Sequence, residues 1–268
     1  MVTIGLIGCG TIGSHLAHAI QDRFKGIARL VGIYDTNPLA AQRLSRALSH
    51  PVPFLPLKKL ISQCQLLIEA ASPVAVQQIL PRILARRKAV LVMSTGGLLN
   101  NRRLLHRAVS SRTPVYLPSG ALVGLDGIKG GAVGKLRSVT LTTYKPPRSF
   151  ENAPEVLRRK IRLRGLRSPR VLFEGSASRA VKAFPQNINV AATLALAGIG
   201  PSRTRVRIVA DPRVQTNIHE IEAIGTFGRL VARTENRPYK ENPRTSQMAV
   251  FSAIATLQQV LQPIRVGT

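Results

Sequence analysis

The chain begins with a continuous apolar run over Val2–Ile7, which fits a strand buried on both faces better than an amphipathic helix. Glycine-rich sequence follows at once, and then a stretch with helical spacing of its apolar positions. A second apolar run over 30–34 ends in Asp35. Strand-like and helix-like stretches keep alternating through the first 120 residues. Residues 38–48 read as a helix capped by Asn37, 66–68 as a buried strand, and 74–86 as a helix that Pro81 interrupts or kinks. Residues 89–93 read as a strand, 101–110 as a helix and 115–117 as a last short strand. Such alternation predicts a parallel sheet with crossover helices, its ligand edge formed by the loops 70–73, 94–97 and 119–121 at the carboxyl ends of strands. From Ser138 the period shortens to two. Residues 139–144 and 204–209 alternate as strands with one wet face, and 217–223 and 228–234 add further strands. A small-residue helical region over 177–196 breaks at Pro185, and 245–261 is an apolar helix.

The expected fold class is therefore α/β: an N-terminal Rossmann-type doubly wound parallel sheet with a second, smaller α+β domain of antiparallel strands. Domains are expected at 1–120 and 121–244, with 245–268 as a C-terminal helix packing back on the first. The turn after the first strand, Gly8-Cys9-Gly10-Thr11-Ile12-Gly13, is a dinucleotide fingerprint in its proper context. Gly8 allows the tight turn, Gly10 lets backbone approach a pyrophosphate, and Gly13 lets the helix pack close to the strand. The phosphates would rest on free N–H groups at the helix start. Asp35 is placed to accept hydrogen bonds from a ribose diol and to repel a 2′-phosphate, so NAD is expected as cofactor. Arg43 and the overall charge leave NADP possible.

That charge is unusual. Lys and Arg number 39 against 12 Asp and Glu, a net +27. The positive field attracts anionic substrates and phosphates without naming a partner. The densest basic run, over 158–170, raises nucleic acid as a partner. With no Trp in the chain and no aromatic residue in the run, a solvated basic face is the stronger expectation. No stretch approaches a membrane span, and the chain begins directly with a strand, so a cytoplasmic location is expected. Cys9 and Cys64 are expected as small buried fillers, and no metal site is expected.

Polar runs in the second half are too particular for packing alone: FPQNINVAA from Phe184, NIHEIEAIGTFG from Asn217 and NPRTS from Asn242. With the fingerprint, Ser119-Gly120-Ala121 and Gly124-Leu125-Asp126, they make the whole chain resemble the L-aspartate dehydrogenases. The resemblance implies nicotinamide-dependent oxidation of L-aspartate to iminoaspartate. The product would then be hydrolysed to oxaloacetate and ammonia, or handed to quinolinate synthase for NAD biosynthesis. It places the active-site residue on His219 and cofactor contacts on Ala121 and Asn187 besides the glycine loop. A homodimer is expected.

Elementary chemistry supports His219 separately. An imidazole that titrates near neutral pH can take a proton from an amine or activate water. His15 and His18 lie on the first helix, His50 in a turn and His106 outside the ligand edge, whereas His219 stands among polar residues. Cations for the substrate carboxylates could be Lys182, or Arg244 with Thr245 and Ser246. Rival readings are an acylating semialdehyde dehydrogenase, which needs a thiolate nucleophile, a reductase of the dihydrodipicolinate reductase type, whose paired-histidine motif is absent, and a nucleic-acid-binding regulator.

Overall fold

The computed structural model describes every residue except Asn100, Gln186, Asn187, Lys240, Glu241, Pro243, Arg244 and Thr268. The chain divides into two units, Met1–Pro118 with Ala249–Val266, and Ser119–Met248.

In the first unit, strands β1 (Val2–Ile7), β2 (Ala28–Tyr34), β3 (Leu66–Glu69), β4 (Ala89–Val92) and β5 (Val115–Tyr116) form a sheet in the order β2-β1-β3-β4-β5, every pair parallel. The crossovers carry helices α1 (Thr11–Asp22), α2 (Pro38–Ala47), α3 (Leu57–Gln63), α4 (Pro73–Ala85), α5 (Gly96–Leu99) and α6 (Arg102–Ser110). Helix starts follow local chemistry. Asn37, Ser72 and Asn101 each accept a hydrogen bond from a first-turn N–H, at 3.0–3.1 Å. Of the interruption or kink expected at Pro81, the interruption does not occur. α4 runs through it with Ile79, Leu80, Ile83 and Leu84 buried, and that burial, about 1.5–3 kcal/mol per side chain, outweighs the roughly 3 kcal/mol cost of an interior proline. The closing helix Gln247–Leu261 buries Ala253 and Leu257 in the same core as Ile4, Leu16, Ile20 and Leu44, which makes it part of this unit.

The second unit holds β6 (Leu136–Lys145), β7 (Arg170–Ser176), β8 (Arg205–Ala210), β9 (Asn217–Gly225) and β10 (Gly228–Asn236), ordered β10-β9-β6-β8-β7. Helices α7 (Leu125–Val133), α8 (Pro154–Arg158), α9 (Ala177–Ala183) and α10 (Ile188–Ala197) accompany it. The sheet is mixed rather than purely antiparallel, because β6 and β8 run parallel through a long connection that contains β7, α9 and α10. Period two sorts the faces. Leu141, Thr143, Ile208, His219, Ile221 and Thr234 share the inner face through their register, while Arg205, Arg207, Glu220, Glu222 and Arg233 stand on the other.

Candidate active site

At the carboxyl ends of β1 and β3, where the strand order reverses, the first unit forms a cleft of about 430 Å³ lined among others by Gly8, Gly10, Asp35, Ala71, Ser72 and Gln78. Gly8 takes φ +97°, and a Cβ there would run into the backbone of Ala70. At Gly13 a Cβ would meet the carbonyl oxygen of Gly8, so only glycine lets α1 sit this close to the turn. Around Gly10 there is open space, and among the described residues no side-chain hydrogen bond caps α1 at Gly10. This start of α1, with Thr11 and Ile12 in its first turn, suits an anionic pyrophosphate. Asp35 binds the loop itself. One carboxylate oxygen accepts from the Cys9 N–H at 2.7 Å and the other from the Asn37 N–H at 2.8 Å.

Beneath the cleft lies Glu69, almost fully buried at the end of β3. Its Oε1 accepts from the N–H groups of Ala71 (2.8 Å) and Ser72 (3.1 Å) and from the Ser94 hydroxyl (2.9 Å), and its Oε2 accepts from the Ser94 N–H (3.1 Å). Burial pushes its carboxyl above the ordinary 4.5, against these hydrogen bonds, which favour the charged form. One side chain therefore clasps two of the loops expected on the ligand edge. Cys9 and Cys64 are buried and free. Burial pushes their thiols up to about 12 and about 11, so neither offers the thiolate of an acylating mechanism.

In the second unit His219 is buried on β9, opposite Thr143 of β6 and Thr234 of β10. Its Nδ1 lies 3.0 Å from the Thr143 hydroxyl. Burial, and then the charge of Lys145, lower the imidazole from 6.5 to about 3. The neutral-range titration expected of a histidine is thus displaced, and at neutral pH the ring is an uncharged base. Ala121 sits in the same neighbourhood. Its carbonyl accepts from the Thr234 hydroxyl at 3.0 Å and from Asn236 Nδ2 at 3.2 Å, and the Ser246 hydroxyl donates to Asn236 Oδ1 at 3.2 Å. The side chains of Thr234, Asn236 and Ser246 and the carbonyls of Ala121 and His219 are so drawn into one buried network.

Of the sequence candidates, Gly8, Gly10, Thr11, Ile12, Gly13 and Asp35 gather at the first cleft, and His219 and Ala121 in the second unit. Asn187 and Arg244 lie outside the described residues. Lys182 is exposed on α9, while Ser246 is buried in the network. The sequence reading passed over Glu69, Thr143, Thr234 and Lys145. Only Lys145 and Thr143 carried a usable signal, since they alternate on one strand face. Among the described residues no three His, Cys, Asp or Glu side chains gather as a metal site, and no helix is long and apolar enough to cross a membrane.

Comparison with known proteins agrees with both halves of this geometry. Residues 8–118 match the family described as homoserine dehydrogenase, NAD binding domain, and residues 126–260 match aspartate dehydrogenase, C-terminal. Relatives named L-aspartate dehydrogenase from Methanosarcina barkeri and Nitrosopumilus maritimus are 43% and 39% identical over the whole of both chains. The chain belongs to the aspartate dehydrogenase family. A crystal structure of aspartate dehydrogenase from Thermotoga maritima covers all of both chains at a TM-score of 0.76 and 27% identity. A myo-inositol dehydrogenase from Lactobacillus casei, at 13% identity and a TM-score of 0.57 over 97% of this chain and 85% of that one, shares the fold alone. As a member of the aspartate dehydrogenase family, the chain carries its NAD-binding features in the first unit and its family-specific runs in the second.

Proposed function

We propose that the protein oxidises L-aspartate at Cα to iminoaspartate, with NAD as acceptor. The observation that carries this reading is the full-length likeness to relatives named L-aspartate dehydrogenase. The glycine loop, with Gly8, Gly10, Thr11, Ile12 and Gly13, would hold the pyrophosphate, and Asp35 the ribose diol; the open approach at Gly10 fits such a group. Ala121 and Asn187 would contact the cofactor by the family pattern. Bound NAD supplies the hydride acceptor. His219, uncharged at neutral pH, takes one proton from the substrate ammonium, so that the nitrogen lone pair can form the C=N bond as the Cα hydrogen leaves with its electron pair. Thr143 at 3.0 Å fixes the ring.

The same reading includes hydrolysis of iminoaspartate to oxaloacetate and ammonia, or its hand-over to quinolinate synthase, and a cytoplasmic homodimer. Exposed Ile224, Phe227 and Val231 on β9, β10 and their turn support the dimer. NADH formation from L-aspartate, set beside a panel of other amino acids, tests the reaction. Formation from aspartate alone is expected, and equal activity on alanine removes the dicarboxylate assignment.

A further inference from the structure

We propose that Lys145 is the cation that holds a carboxylate of the dicarboxylic substrate beside His219, an inference that rests on the dehydrogenase reading above. Lys145 ends β6, two residues beyond Thr143, and strand alternation places both on the inner face that carries His219. Across β8 its register partner is Ala210, a residue with no polar side chain to meet it.

Among the described residues, the charges around it leave it unpaired. Asp211, next along from Ala210, is buried, but its carboxylate accepts from the backbone N–H of Arg213 at 2.9 Å and from that guanidinium at 3.1 Å through each oxygen. None of the ion pairs among the described residues includes Lys145. Lys129 is the other described cation of this unit that is not exposed, and it pairs with Asp126 at 3.6 Å. Burial pulls the Lys145 ammonium down to about 8, which leaves it charged at neutral pH. A half-buried ammonium with no carboxylate is costly, and such a charge is normally compensated by an arriving anion or a neighbour. An aspartate carboxylate fits that demand. It neutralises the ammonium and brings the amino group of a short substrate into the neighbourhood of His219. The exposed arginines of the run over 158–170 meet no such demand, because water solvates them.

The test uses the full chain with Lys145→Met, Lys145→Arg and, on the opposite sheet face, Arg205→Met as a control for net charge. Steady-state kinetics give KM for aspartate and for NAD, and calorimetry with succinate reads dicarboxylate binding without turnover. Lys145→Met is expected to raise KM for aspartate and the succinate Kd by about 10- to 100-fold, the usual worth of a charged hydrogen bond. KM for NAD should stay within about twofold by the same reasoning, Lys145→Arg should restore part of the loss, and Arg205→Met should change neither. Unchanged succinate binding in a folded Lys145→Met protein overturns the assignment. So does an equal loss of NAD binding, or a Lys145→Arg protein no better than Lys145→Met. A wild-type protein that binds succinate through Lys145 but does not oxidise aspartate instead removes the dehydrogenase reading and leaves the carboxylate site standing.

Discussion

At the scale of single residues, His219 combines burial with a single hydroxyl bonded to its ring, and its chemistry follows from being held neutral. If it accepts the amine proton, His219→Ala should lose about 10²- to 10⁴-fold in kcat while NADH binding, read by fluorescence titration, stays near normal. Stability gives a second readout with a definite sign. The folded imidazole refuses a proton until about pH 3, whereas the unfolded chain takes one near 6.5. Unfolding is therefore favoured as pH falls through that window, by up to about 1.4 kcal/mol per pH unit. Melting curves of His219→Gln should flatten between those pH values relative to wild type; parallel curves would mean that the buried ring is not held neutral. Asp35 is the other single-residue determinant. Asp35→Ala should raise the NADP to NAD ratio of kcat/KM, and an unchanged ratio would remove its ribose role.

Elements act through their ends. Glu69 lets the ends of β3 and β4 share one acceptor, so Glu69→Gln would aim an NH₂ at the Ser94 N–H or leave a loop N–H unsatisfied. Each such buried group costs about 1–3 kcal/mol. The variant should melt lower and show a raised KM for NAD with kcat little changed, which thermal melts and initial rates can check. How legible these elements were depended on where their signals lie. β1, β2, the fingerprint and the Asn37 cap follow from contiguous patterns, and the structure repeats them within a residue or two. α7 escaped because Gly127, Gly130 and Gly131 mask its helical period, and α3 because it is a two-turn helix behind Pro56. The parallel β6–β8 pairing and the Thr143–His219 contact are decided by register between residues 65 and 76 positions apart in sequence, which no local pattern encodes. Lys145 was hidden among 39 basic residues until burial distinguished it.

For the molecule as a whole, the dominant property is the charge of +27, spread over both units. A field of that sign should speed the encounter with dicarboxylic aspartate, and salt should screen it as the Debye length shrinks to roughly 8 Å at physiological ionic strength. Accordingly kcat/KM for aspartate should fall as salt is added, mostly through KM; a flat profile would show that the field does not reach the site. The bond from the Cys9 N–H to Asp35 also reaches beyond its own loop. The carboxylate that would discriminate between nucleotides is also a strut of the turn that holds them, so cofactor preference and loop integrity are inherited together. A lineage drifting toward the phosphorylated nucleotide could not simply discard Asp35. It would first need a substitution that gives the Cys9 N–H another acceptor, and the order of those two steps would decide whether the path stays open to selection.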